Sequence, residues 1–438
     1  MSLRSRLEHH FQFQPLGARW RTEILAGFTT FMTMAYIIFV NPAILHETGM
    51  PLPAVTAATC ISAAAGSFLM GGLANYPIAL APGMGLNAYF TYVVVKGMGV
   101  PWQVALGAVF ISGTAFLLLT LVGVRQLILS AIPFELYSAV AAGVGLFIAL
   151  IGFRNSGIIV PSAATTVTLG KLGDKSTALA LFGLLLIATL LAWRVRAAML
   201  IGILTTSVVG LLTGVAKWTP QTYGLSDLAA TAGKLDVAGA VKVGLLEIVF
   251  VFLFIDLFDN IGTLVAVGKK AGLFNEKQQI PRLNRILFSD ATASIVGSLT
   301  GTSTVVSYIE SAAGVAAGGR TGVTAIVTGA LFVIALFIAP VVGAIPAAAT
   351  APALIVVGSM MASVMGEIAW HDPEVAVPAF LTMVTIPLSF SIANGLAFGF
   401  TSYSMIKILR GRFGEVNWFV YLLTALFVAR FVYLSSAG

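Results

Sequence analysis

Long runs of apolar residues, separated by short polar segments, follow one another along nearly the whole chain. A run of about 20 apolar residues predicts a helix that crosses a bilayer. The pattern predicts fourteen spans, several of which are shorter than a full crossing requires. The predicted spans lie near 22–40, 54–73, 83–98, 101–122, 136–152, 176–193, 198–215, 241–267, 285–300, 308–319, 322–343, 351–367, 375–390 and 392–409.

The C-terminal part of this pattern leaves one alternative open. The stretch "SFSIANG" is interpreted as a break between the last two spans, because a single span over 375–409 would place Lys407–Arg412 on the outer side. The apolar stretch 416–434 follows, with Trp418 near its start and Arg430 near its end. We interpret it as an interfacial helix, although a further span fits the same pattern.

Two of the short spans, the third and the tenth, contain residues that disfavour a continuous helix. "YPIALAPGMGLNAYF" (76–90) and "GTSTVVSYIESAAG" (301–314) each predict a short extended stretch followed by the start of a helix. Non-helical backbone at membrane depth has to be buried in protein or line a cavity. The two stretches are separated by 223 residues (310 − 87 = 223), about half of the 438-residue chain. This spacing predicts two halves of seven spans, the second inverted, with the substrate site of a transporter at the broken helices.

Composition and charge fit this architecture. The chain is 58% hydrophobic and 9% charged, whereas soluble domains contain about 25% charged residues. It is therefore expected to be an all-α polytopic membrane protein. With the N-terminus inside, 16 of the 24 Lys and Arg residues fall on the inner side and 7 on the outer side, with Arg430 unassigned. This asymmetry predicts a multi-pass protein of the cell (inner or plasma) membrane with a cytoplasmic N-terminus.

The same asymmetry explains the formal charge of +7 without a nucleic-acid partner. The single cysteine, Cys60, excludes an internal disulfide and any multi-cysteine metal site. No cofactor is expected, and the lipid bilayer is the expected surrounding.

Among the 17 acidic residues, Asp256, Asp259 and Glu310 stand out because apolar or small residues surround each of them. A charged side chain at the centre of a bilayer costs about 2.5–3.5 kcal/mol on insertion scales. These acids therefore predict a polar cavity, a partner group or protonation.

Each candidate polar residue has a structural alternative. Asp256 and Asp259 share a helix face, which suits either a ligand site or a hydrogen-bonded pair that caps a half-helix. Glu310 lies on the first turn of a predicted short helix, where an anion also stabilises the helix dipole. Asn87 has the matching position in the first half. Its amide both donates and accepts, which suits the edge of a heterocycle or, alternatively, the broken backbone nearby.

Four segments resemble a known family: "GFTTFMTMAYIIFVNPAIL" (27–45), "APGMGLNAYF" (81–90), "IDLFDNIGTL" (255–264) and "TSTVVSYIESAAGVAAGGRTG" (302–322). They are similar to the adenine/guanine/hypoxanthine permeases, the AzgA-like branch of the nucleobase–cation symporters (nucleobase/ascorbate transporters). The resemblance spans essentially the whole chain.

The resemblance implies a uracil-transporter-like fold, with 14 transmembrane segments in a 7+7 inverted repeat and short extended stretches in spans 3 and 10. It also implies a homodimer formed through the gate domains. The implied divisions are a cytoplasmic N-terminus (1–21), a core domain (22–122 and 241–343), a gate domain (136–215 and 351–409) and a C-terminal interfacial helix (416–434).

For the site, the resemblance associates Asp256 and Glu310 with purine binding, and Asp259 and Asn87 with transport. It implies a purine nucleobase as substrate and the proton as coupling ion, and a transporter rather than an enzyme. Carboxylates accept N–H bonds from a purine, so Glu310 and Asp256 are expected to hold opposite edges of the base. The coupling proton is assigned to Asp259 or Glu310. Its binding is expected to let a loaded core slide against the gate in an elevator mechanism.

The apolar face for the purine ring is assigned to Phe252 together with either Tyr308 or Phe90. Phe252 lies one helical turn from Asp256.

Two other functions remain to be weighed, and the preferred purine stays open. Sulfate and bicarbonate transporters or channels share this architecture, but an anion carrier should place basic or dipole-only groups at its broken helices, where this sequence has Asp256, Asp259 and Glu310. Intramembrane aspartic proteases use two acids about 3 Å apart, whereas an i, i+3 pair lies about a turn apart and no Gly-x-Gly-Asp stretch occurs.

Overall fold

The structure is a computed structural model that describes residues 2–123, 132–217, 225–242, 246–271, 280–337 and 345–437. The helices up to residue 217 are α1 (Leu3–His10), α2 (Trp20–Met34), α3 (Ile37–His46), α4 (Leu52–Leu69), α5 (Met84–Ala88), α6 (Trp102–Leu121), α7 (Phe134–Asn155), α8 (Lys175–Ala192) and α9 (Ala198–Leu212). The later helices are α10 (Val237–Lys242), α11 (Leu246–Ala271), α12 (Leu283–Thr300), α13 (Ser311–Ala316), α14 (Gly322–Ala335), α15 (Ala347–Ala362), α16 (Pro373–Ser389), α17 (Ile392–Leu409) and α18 (Trp418–Ala437).

Shorter elements complete the described chain. Wider π-helical turns, Met70–Ala74 and Tyr89–Val95, continue α4 and α5. The 3₁₀ turns are Leu225–Ala230, Ser363–Glu367 and Phe413–Glu415. The strands are β1 (Leu80–Pro82), β2 (Ile159–Ser162), β3 (Thr166–Leu169) and β4 (Val305–Ser307).

Several helices are long and apolar enough to cross a membrane. Among the described residues there are six: Trp20–His46, Leu52–Ala74, Trp102–Leu121, Phe134–Asn155, Lys175–Ala192 and Ala347–Glu367. Shorter apolar helices are Met84–Val95, Ala198–Leu212, Ile248–Leu257, Gly322–Ala335, Pro373–Ser389 and Trp418–Ala429. The prediction of a multi-spanning helical protein is confirmed in this form. The predicted start of the eighth span, 241, lies in α10, whereas the predicted end of the eleventh span, 343, lies outside the described residues.

The chain divides into two compact units. The first contains 1–118 and 151–356, and the second contains 119–150 and 357–438. The resemblance placed 136–215 in the gate domain, whereas most of that segment groups with the first unit. The assignment of segments to core and gate stays a prediction.

At the centre of the first unit, the two extended stretches pair with each other. β1 and β4 are antiparallel, with Ala81 opposite Val306, and the Tyr308 amide extends the pairing by donating to Ala79 O at 3.0 Å. The sequence predicted both extended stretches but not their pairing. Mutual pairing satisfies backbone groups that would otherwise be costly at membrane depth.

One serine from each flanking helix holds a strand in place. Ser67 Oγ of α4 accepts a hydrogen bond from Leu80 N at 3.0 Å. Ser294 Oγ of α12 donates to Val305 O at 2.9 Å. Buried apolar residues from both halves of the unit surround the pair: Met70, Ala74, Tyr76, Ile78, Leu80, Leu264, Val267, Ile286, Leu287, Ala293, Val305 and Val315.

Segments 1–118 and 151–356 of the first unit also meet at a helix crossing, where the residues in contact are both glycines. A Cβ atom built on Gly322, at the start of α14, would overlap the carbonyl oxygen of Gly71. Built on Gly71, it would overlap the carbonyl oxygen of Gly322. Glycine at both positions therefore permits backbone-to-backbone contact between α14 and the π-helical end of α4.

Gly322→Ala is expected to destabilise the protein by about 1–3 kcal/mol, because the added methyl group forces apart two backbones that cannot yield as a side chain would. Thermal unfolding of the purified protein in detergent measures this effect. Gly72→Ala is the matched control, since a Cβ there meets nothing within 4 Å. Equal stability of the two variants would contradict the crossing.

The N-terminal segment folds against the first unit. Phe11 and Phe13 are buried against Val323 of α14. Glu8 accepts hydrogen bonds from Arg4 Nε and from Trp20 Nε1, both at 2.9 Å. These donors, Arg4 first, hold the pKa of the exposed Glu8 carboxyl below its usual range. The polar N-terminal segment is therefore folded, with buried aromatic side chains and side-chain hydrogen bonds.

In the second unit, α16 and α17 form a helical hairpin at the predicted "SFSIANG" break. Phe390 follows α16 in a left-handed conformation with φ of 49°. Ser391 then begins α17, with its hydroxyl oxygen accepting from Asn394 N at 3.2 Å. The prediction of two short helices here is confirmed.

A charge cluster joins the start of α16 to the end of α17. Lys407 Nζ lies 2.8 Å from Glu374 Oε2 and 2.8 Å from Glu415 Oε2. Arg410 and Arg412 also pair with Glu374, which is only 2% exposed. The several cations compensate the buried Glu374 carboxylate, as burial of a charge requires.

Candidate functional site

The first component of the site is Asp256, which lies in the middle of a continuous 26-residue helix, α11. Its side chain is 1% exposed. Asp256 does not cap a half-helix, because the helix continues on both sides of it. Asp259 lies on the same helix, but its side chain is outside the described residues. Its role as proton carrier stays a prediction.

Asn260 connects Asp256 to a second buried acid. Its Nδ2 donates to Asp256 Oδ1 at 2.6 Å and to Asp290 Oδ2 at 2.7 Å. Its Oδ1 accepts from Ser307 N of β4 at 3.0 Å. The backbone N–H of Ser307 can only donate, so the side-chain oxygen of Asn260 must face it. The two N–H groups of the same amide then face the carboxylates of Asp256 and Asp290. One amide thus links α11, α12 and β4.

Asp290 is a site residue that our sequence interpretation missed. It lies on α12 and is 1% exposed. The signal was present, because "ILFSDATASIVG" also places an acid inside a predicted apolar span. Applying the insertion-cost argument to every span would have identified it.

Glu310 is the N-cap residue of α13, one residue before the predicted first turn. Its side chain is partly exposed, unlike that of Asp256. The hydroxyl of Tyr36 donates to Glu310 Oε1 at 2.6 Å. Tyr36 lies between α2 and α3, inside the single candidate membrane span Trp20–His46. Sequence reasoning did not single out Tyr36.

Asn87 is the fourth residue of α5, so it does not have the same position in its short helix as Glu310. Its Oδ1 accepts a hydrogen bond from Ser303 Oγ. Its Nδ2 is fully buried and has no hydrogen-bond partner among the residues that the structure describes. The amide can therefore still donate to an acceptor on a ligand.

The aromatic candidates separate into two groups. Phe252 packs edge-on against Tyr89 with ring centroids 5.0 Å apart, and tilted against Phe90 at 6.5 Å. Phe252, Tyr89 and Phe90 are all buried. Tyr308 instead donates its hydroxyl hydrogen to Pro82 O at 2.6 Å, which holds the end of β1. A ring contact between Tyr308 and a ligand stays a prediction.

The predicted residues lie on elements that pack together. Helix α11 contacts α5, β4 and α13, which bring Asp256, Asn87 and Glu310 into one part of the first unit. Chemically, the set offers carboxylates that accept hydrogen bonds and an amide that donates. These groups suit a polar, planar molecule with both donors and acceptors.

Comparison with known sequences gives a consistent result. Residues 21–398 match the sequence profile of the Permease family. A permease of Methanocaldococcus jannaschii is 51% identical, with 98% of this chain and 99% of that protein covered. The adenine permease AdeP of Escherichia coli is 43% identical over 98% of this chain and 97% of its own length. The guanine/hypoxanthine permease PbuG of Bacillus subtilis is 45% identical over 97% of this chain and 99% of its own length.

A solved structure with a similar fold is the transmembrane domain of the cyanobacterial bicarbonate transporter BicA. It aligns with a TM-score of 0.66 over 84% of this chain and 95% of that domain, at 15% sequence identity. At that identity the likeness shows a shared fold and nothing about the substrate.

Proposed function

Because the chain belongs to the Permease family, it is a membrane transporter, and we propose that it imports a purine nucleobase, guanine, hypoxanthine or adenine, together with protons. The names of the adenine and guanine/hypoxanthine permeases that it resembles over nearly their full length support the substrate class. The observation that carries the proposal is the buried network of Asp256, Asn260 and Asp290 against β4. Glu310 follows three residues after the strand.

Recognition of the base would use complementary hydrogen bonds. The N1–H and amino group of guanine are adjacent donors, which one carboxylate can accept together. Glu310, which is partly exposed, is assigned one edge of the base, and Asp256 the opposite edge. The Nδ2 of Asn87, which has no hydrogen-bond partner in the described part of the chain, would donate to a ring nitrogen or carbonyl oxygen. Phe252 and Phe90 would flank the ring.

Proton coupling would act on the same acids. A proton on Asp259 or Glu310 neutralises one charge, and the bound purine satisfies the remaining acceptors. Moving an unpaired carboxylate through the membrane is costly, so the empty, unprotonated site should resist the transition. We propose that the loaded core then slides against the gate as an elevator.

The proposed architecture has fourteen spans in two inverted halves of seven. It is supported by the order of secondary-structure elements, which is the same in the two halves. A long helix, a strand and a short helix follow in order as α4, β1 and α5, and again as α12, β4 and α13. We propose further that the protein is a homodimer through its gate domains in the cell membrane, with a cytoplasmic N-terminus.

The alternative is an anion transporter, since BicA shares the fold. Three carboxylates, Asp256, Asp290 and Glu310, belong to the proposed site, and they would repel an anion rather than bind it. Competition of labelled hypoxanthine binding by adenine, guanine, xanthine, uracil and bicarbonate separates the two functions. Displacement by bicarbonate and not by purines would favour the anion carrier.

Uptake of labelled hypoxanthine into proteoliposomes is expected to accelerate when the outside is made acidic relative to the inside, because protons move inward with the substrate. A protonophore should remove the acceleration, while a potassium gradient without a pH difference serves as the control. Uptake that is indifferent to the pH gradient and to the protonophore would contradict proton symport.

A further inference from the structure

The link between α2 and α3 brings a tyrosine to the candidate site. Helix α2 ends at Met34 and α3 begins at Ile37, although neither Gly nor Pro occurs between them. Tyr36 lies in this link and is 1% exposed. A buried tyrosine hydroxyl needs a hydrogen-bond partner, and here that partner is the Glu310 carboxylate at 2.6 Å.

Close packing fixes the relative position of these two residues. Gly314 of α13 lies so near α2 that a Cβ atom there would overlap Thr30 Oγ1 and approach Ala26 O to 2.7 Å. Helix α13, which Glu310 caps, is therefore held directly against α2, which leads into Tyr36. The contact between the hydroxyl and the carboxylate follows from backbone packing rather than from two flexible side chains.

A tyrosine hydroxyl can serve both protonation states of a carboxyl group. It donates to the ionised form, and it accepts the O–H of the protonated form. A lysine or an asparagine N–H at this place could only donate. Tyr36 would thus keep Glu310 hydrogen-bonded before and after Glu310 takes up a proton.

We propose that Tyr36 is a positioning residue for substrate and proton binding, whose hydroxyl keeps the Glu310 carboxyl in one orientation in both protonation states. The expected effect on purine binding rests on the proposed function. The contact between the Tyr36 hydroxyl and the Glu310 carboxyl can be tested without substrate. No atom of Tyr36 is assigned to the purine.

Tyr36→Phe is expected to weaken hypoxanthine binding by about ten- to a hundredfold, the usual effect of losing a hydrogen bond to a charged group. In a Glu310→Gln background the same change should alter affinity less than about twofold, because the positioned carboxylate is already gone. Tyr76→Phe is the matched control. Its side chain is also buried, and its hydroxyl donates to a backbone carbonyl, Pro281 O at 2.7 Å, rather than to a carboxylate of the candidate site.

Infrared difference spectra of the purified protein, recorded during pH titration without substrate, test the contact separately. The carboxyl band of protonated Glu310 is the one that Glu310→Gln removes. Tyr36→Phe should shift that band to higher wavenumber, and 3-fluorotyrosine at position 36, a stronger donor that preserves the fold, should alter it as well. An unshifted band in both proteins would overturn the inference.

The two measurements distinguish the possible failures. A shifted band with no purine binding by the native protein overturns the proposed function and leaves the contact standing. Purine binding with native affinity in Tyr36→Phe, or an equal loss of affinity in the Glu310→Gln background, overturns the positioning role and leaves the proposed function standing.

Discussion

Glu310→Gln and Asp256→Asn are each expected to lower purine affinity by about a hundredfold or more while leaving a folded, monodisperse protein. Each variant preserves the shape of the side chain but replaces a charged acceptor by an amide that also donates. A hydrogen bond to a charged group contributes about 1.5–3 kcal/mol, and bidentate acceptance involves two. Equilibrium binding of labelled hypoxanthine to the purified proteins measures the loss.

The matched control for this pair is Asp174→Asn. Asp174 caps α8 on the surface, where its Oδ2 accepts from Ser176 N at 3.1 Å, and asparagine caps a helix about as well as aspartate. The control should bind hypoxanthine as the native protein does. Native affinity in either site variant would remove that residue from the site.

Asp256 and Glu310 could be singled out from the sequence because the cost of an acid in an apolar span does not depend on tertiary structure. An acid inside an apolar span is unfavourable wherever the span packs, so Asp256 and Glu310 stood out in the sequence. The extended stretches could also be predicted from their own residues, because proline and β-branched residues disfavour a continuous helix. Both became strands, β1 and β4.

The partners of those residues could not be predicted, because they come from distant parts of the chain. Tyr36 and Glu310 are 274 residues apart, and Asn260 and Asp290 are 30 apart. Hydrophobic periodicity reports which face of a helix is buried, not which helix covers it. The link at Tyr36 was also hidden, because "TMAYII" contains no helix-breaking residue.

Asn260→Asp is expected to cause the largest loss of stability among single changes in the site, about 3–5 kcal/mol, as when a buried charge loses its partner. The substituted side chain has the same size and still accepts from Ser307 N. It removes both N–H donors that lie between the carboxylates of Asp256 and Asp290 and places a third acid between them. Thermal unfolding in detergent measures the loss, and purine binding should disappear with it.

The double variant Asn260→Asp with Asp290→Asn separates this electrostatic cause from a general intolerance of position 260. It contains the same two acids and one amide as the native network, with the amide now on α12. Because the network again holds two acids rather than three, and the amide at position 290 can donate to the carboxylate at position 260, part of the lost stability should return, while Asp290→Asn alone should cost less than Asn260→Asp. If the double variant unfolds as readily as Asn260→Asp, the third acid is not the cause of the loss, and the two N–H donors at position 260 themselves stabilise the network.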